Sequence, residues 1–79
     1  MQNIFENDSI LVVATGRDYD FIATIENKTD DRICLVFNDT TGLEPMDIQP
    51  NNWIGIEADH SGYMILHAIR NNQFMLRKE

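Results

Sequence analysis

Tyr19-Asp20-Phe21-Ile22-Ala23-Thr24-Ile25-Glu26 is the stretch that decides the fold class. Tyr19, Phe21, Ala23 and Ile25 alternate with Asp20, Ile22, Thr24 and Glu26. A period of two puts one apolar row on a single face of an extended chain, which is the pattern of a half-buried β-strand.

The same period recurs on both sides of this stretch. Ile33, Leu35 and Phe37 alternate with Arg32, Cys34 and Val36. Ile54, Ile56 and Ala58 alternate with Trp53, Gly55 and Glu57, and Phe74 and Leu76 alternate with Met75 and Arg77. Upstream, Ile10-Leu11-Val12-Val13-Ala14 is continuous and rich in β-branched residues, as a strand covered on both faces requires. The buried row is expected to hold Ile10, Val12, Phe21, Ile25, Ile33, Leu35, Phe37, Ile54 and Ile56.

Turn residues separate these runs. Thr15-Gly16-Arg17-Asp18, Glu26 to Asp31, and Asp59-His60-Ser61-Gly62 each read as a short connection. Asn71-Asn72 tolerates the positive φ of a two-residue hairpin turn. Short connections force antiparallel neighbours. The long link, Asn38 to Asn52, carries Gly42, Pro45 and Pro50, and its Met46–Ile48 portion suits a short edge strand. Tyr63 to Arg70 reads as a further strand joined tightly to the Phe74 run; the alternative is a two-turn helix capped by Ser61. Residues 1–79 are thus expected to form one small all-β domain. Five to seven short strands in hairpin order make it an antiparallel barrel or a compact sandwich.

With 79 residues and a single cysteine, Cys34, the chain has a small core and no disulfide within itself. A core of this size supplies about 3–5 kcal/mol of net stability. Self-association as a homodimer is therefore an expectation. The first residues lack the basic start and apolar run of a secretory signal, and a lone cysteine fits a reducing compartment, so the expected location is the cytoplasm.

The chain carries 13 carboxylates against 6 Lys and Arg, for a net charge of −7. The excess lies in residues 1–59, whereas Arg70, Arg77 and Lys78 make the last stretch basic. Such a field repels phosphate backbones and anionic lipid surfaces, which disfavours nucleic acid and membranes as partners.

No reaction chemistry is legible. Cys34 lies inside a strand between Ile33 and Leu35, the setting of an inert small apolar residue. His60 sits in a turn and His67 in the segment read as a strand, with no second ligand pair for zinc. Asn38 to Glu44 has oxygen donors without EF-hand spacing. Gly16, Gly42, Gly55 and Gly62 stand apart, so no glycine-rich phosphate loop exists. No enzyme activity, metal or cofactor is expected.

The remaining expectation is a non-catalytic module that binds a protein partner, one of basic character, through an exposed strand edge or a surface centred on Trp53. Alternation sends Trp53 to the face opposite Ile54 and Ile56, where Gly55 leaves its indole uncovered. The other placement for Trp53 is beneath the long link. Glu57, Asp39, Glu44 and Asp47 complete the expected partner surface. Two alternatives remain. One is a small acidic inhibitor that mimics nucleic acid in a partner's basic groove. The other is a nucleic-acid-binding barrel using Arg70, Arg77, Lys78 and a stacking Phe74.

Overall fold

The structure, a computed structural model, describes residues 2–15 and 20–78. Gly16, Arg17, Asp18 and Tyr19, on which the first expected turn and the start of the next strand fall, lie outside the described residues. The described chain forms β1 (Gln2–Glu6), β2 (Ile10–Ala14), β3 (Phe21–Asn27), β4 (Ile33–Phe37), β5 (Met46–Ile48), β6 (Trp53–Glu57), α1 (His60–Arg70) and β7 (Phe74–Lys78). A single 3-10 turn at Asp39–Thr41 interrupts the link before β5. The all-β expectation holds, including the short strand at Met46–Ile48.

Two antiparallel sheets share these strands, in the orders β1-β2-β3-β6 and β5-β4-β7. Their facing sides close over one core: Ile10, Val12, Ala23, Ile25 and Ile56 from the first, Ile33, Leu35, Phe37 and Ile48 from the second, Ala68 and Ile69 from α1. Burial of these side chains is the main term holding the fold together. At another point the sheets meet through Phe5 and Phe74, whose rings pack edge to face at 5.4 Å.

Two register shifts explain where alternation misleads. In β1, Asn3 faces Val13 and Phe5 faces Val12, so Ile4 is an extra residue. The bulge turns both Ile4 and Phe5 towards the core, which erases any period of two from Gln2–Glu6. In β3, Phe21 faces Glu57 while Ala23 faces Ile56, so Ile22 is extra. Ile22 packs against the core in Phe21's place. Phe21, expected in the buried row, instead stands on the outer face. Ile54 is half-buried against the core; the other seven expected core residues are buried.

Tyr63 to Arg70 is a helix, not a strand. Its cap is Asp59, not Ser61: the Asp59 Oδ1 accepts the Gly62 N–H at 2.8 Å. Ala68 and Ile69 enter the core, with Ile65 and Leu66 half-buried beside them, while Tyr63, Met64, His67 and Arg70 stay exposed. The helix touches both β1 and β6, the two edge strands of the four-stranded sheet.

Asn71-Asn72 supplies the expected positive φ, at Asn72 (57°), but as a helix terminus and not a hairpin turn. The Asn72 N–H donates to Ile69 O and the Gln73 N–H to Ala68 O, both within 3.1 Å, which is a Schellman ending. Glycine suits this backbone better than asparagine. Asn72→Gly should therefore raise stability by about 0.5–1 kcal/mol, and Asn72→Val should lower it by about 1–2 kcal/mol. Thermal melts of the two variants in opposite directions would check this; a lower melting temperature for Asn72→Gly would contradict it.

Asn27 is the one buried polar residue among those described. Its two Nδ2 hydrogens are shared among the carbonyls of Asp31 (2.8 Å), Ile48 (3.1 Å) and Gln49 (3.1 Å). Its Oδ1 accepts from the Thr29 N–H (2.9 Å) and hydroxyl (2.8 Å). This side chain pins the β3–β4 turn to the corner where the chain leaves β5 for β6.

Candidate functional site

The corner held by Asn27 orients β6. The Asn27 N–H donates to Asn52 O at 2.8 Å, so Asn27 and Asn52 form a hydrogen-bonded pair. Pairing alternates along an antiparallel ladder, so Ile54 and Ile56 direct their backbone groups to β3. Trp53 and Gly55 direct theirs away from it. Among the described residues β6 pairs on one side only, leaving those N–H and C=O groups at an open edge.

Trp53 is 58% exposed, so it does not lie beneath the long link. Its ring meets Phe21 edge-on at 6.3 Å. The space above Gly55 is occupied: a Cβ placed there would lie 2.5 Å from the Phe21 ring. The indole is therefore braced by Phe21 and open elsewhere, which differs from the wholly uncovered position expected from Gly55. The β3 bulge causes this, because it moves Phe21 to the outer face.

Beside the open edge runs a groove made of two adjoining clefts. One, about 240 Å³, is lined by residues of β6 (Gly55, Ile56, Glu57), by Met46 of β5 and by Asp59, Gly62 and Ile65 at the start of α1. The other, about 260 Å³, adds Leu43, Glu44 and Pro45. Met46, Ser61 and Ile65 belong to both. The floor is apolar and the rim carries Glu44, Glu57 and Asp59. Gly62 lets α1 approach so closely, since a Cβ at that position would sit 1.8 Å from Glu57 O.

Of the residues singled out from sequence, Glu44 and Glu57 line this groove, and Trp53 opens the strand that Glu57 ends. Asp47 is exposed on β5 next to Met46, and Asp39 is exposed in the 3-10 turn before Glu44. Neither lines the clefts. Sequence reasoning missed Leu43, Met46, Asp59 and Ile65. Asp59 was the available signal, because aspartate is a preferred N-cap residue and so offers a helix start, and with it the groove's end wall.

The other sequence-marked residues are placed elsewhere. Cys34 is buried within β4, whereas His60 and His67 are exposed on α1. Among the described residues no three His, Cys, Asp or Glu side chains converge as a metal site needs. Phe74 packs against the core and Phe5, not as an open stacking ring. Lys78 lies 3.7 Å from the Asp31 carboxylate. No helix among the described residues is long and apolar enough to cross a membrane. No family model, no curated protein and no solved structure matches the chain.

Proposed function

We propose that the domain is a non-catalytic protein-binding module that takes an extended segment of its partner onto the open edge of β6, beside Trp53. The observation that carries this reading is the outer side of β6, unpaired among the described residues, next to a tryptophan that is 58% exposed. Main-chain hydrogen bonds from such an edge give affinity without any catalytic group, and neighbouring pockets select side chains. Tryptophan adds large contact area at small entropic cost. The single cysteine, buried in β4, suits work in the cytoplasm.

Amide hydrogen exchange tests the reading. In the free protein the Trp53 and Gly55 amides should exchange fast and those of Ile54 and Ile56 slowly. Peptides selected from a displayed library against the folded domain should slow Trp53 and Gly55 and shift the Trp53 emission to the blue. Selected binders that leave both amides fast would reject β6 as the site.

A further inference from the structure

We infer that the occupant of this edge is a basic segment, one that alternates Lys or Arg with apolar residues. The inference rests on the β6 reading and adds the partner's chemistry. From Ile33 to Ile69 the chain has no Lys or Arg, while Asp39, Glu44, Asp47, Glu57 and Asp59 fall within it. That same stretch builds the groove. All five carboxylate residues are exposed. The ion pairs Glu6–Lys28 (2.9 Å) and Asp31–Lys78 (3.7 Å) lie outside the groove. The lining of the two clefts carries Glu44, Glu57 and Asp59 and no Lys or Arg, so an entering cation meets negative charge there, from which attraction follows.

Strand geometry sets the spacing. A chain added to β6 alternates its side chains between the two faces of the sheet. On one face lie Trp53, Phe21 and Glu57; on the other, Ile56 leads to Met46 and Ile65 on the groove floor. Every second residue of the partner is then apolar, and those between are cationic, within reach of Glu57 and of the aromatic pair. A second copy paired edge to edge would bring the same carboxylates face to face, which disfavours it.

The probes are two blocked hexapeptides, one alternating arginine with leucine, the other glutamine with leucine, titrated against the parent and the Glu57→Gln variant. The arginine peptide should bind at least about tenfold more tightly than the glutamine peptide and weaken markedly with added salt. It should lose about two- to fivefold on that variant, as removal of one exposed ion pair implies. It should also protect the Trp53 and Gly55 amides. Equal affinity for both peptides, with those amides protected, would overturn the basic occupant and leave the β6 edge standing. Tight arginine-peptide binding without that protection would overturn both readings and leave attraction by charge alone, as in a nucleic-acid mimic. Protection that appears without peptide and rises with protein concentration would assign the edge to a second copy and overturn the inference.

Discussion

Asn27→Leu should leave the chain largely unfolded at 25 °C. Leucine keeps the branching of asparagine but sets two bulkier methyls in place of Oδ1 and Nδ2, so the change removes the hydrogen bonds and adds crowding, not a cavity. Nδ2 serves the carbonyls of Asp31, Ile48 and Gln49, and Oδ1 serves the N–H and hydroxyl of Thr29. The bond to Ile48 O is buried, so water cannot replace it without opening the corner. Each buried polar group left without its partner costs about 1–3 kcal/mol. That loss at Ile48 O, together with the part-buried bonds to Asp31, Gln49 and Thr29 at about 0.5–1.5 kcal/mol each, matches the about 3–5 kcal/mol that a core of this size supplies. Circular dichroism should show no cooperative melt for the variant. A melting temperature within about 5 °C of the parent, a change of only about 1 kcal/mol, would mean that Asn27 does not hold the corner.

Gly62→Ala should destabilise the domain by about 2–3 kcal/mol and lower the melting temperature by roughly 10–20 °C. In an open helix the same change stabilises by about 1 kcal/mol, because alanine is the better helix former. The sign reverses because the new Cβ would sit 1.8 Å from the Glu57 carbonyl oxygen and 3.1 Å from Ile56 Cγ2. A backbone oxygen cannot swing aside as a side-chain end can, so α1 and the end of β6 must separate. Met64→Ala, on the exposed side of α1, is the control and should melt near the parent. A rise in melting temperature for Gly62→Ala would show that α1 does not pack on β6 as described.

The strands were legible where sidedness is regular. Ile33–Phe37 pairs on both sides and is buried at four of its five positions, and its alternation with Arg32 and Val36 was enough to place it. Legibility failed wherever an extra residue or a cap changed the period. Ile4 and Phe5 show no alternation because a bulge turns both inward, so Gln2–Glu6 left no strand signal. Phe21 looked like core because its parity matches Ala23, and only the pairing with Glu57 reveals that Ile22 reverses it. Met64-Ile65-Leu66 looked like a strand because Asn71-Asn72 suits either a hairpin turn or a helix ending. What settles the choice is contact at a distance: Ala68 and Ile69 reach the common core.

The candidate site was half legible for a related reason. Glu44, Glu57 and Trp53 could be marked by charge and parity. Their grouping with Met46 and Ile65 depends on β5 and β6 lying in different sheets, which no local pattern encodes. Asn27 resembled an ordinary turn residue, since its acceptors at Ile48 and Gln49 belong to a distant part of the chain.

The two strand crossovers also govern how the molecule comes together in time. β1, β2 and β3 pair with immediate neighbours, but Ile25 waits for Ile54, and Leu35 for Leu76. Closing such long loops is the slow part of folding in β proteins, on the order of milliseconds to seconds. Until β6 arrives, the far side of β3 is itself an open edge, apolar at Ala23 and Ile25. A chain whose β6 has not docked thus presents a strand edge one position inward from the edge the folded domain presents. The carboxylates at Glu26, Asp30 and Asp31, at and just beyond the end of that strand, put like charge beside this edge, which opposes its pairing with a second copy.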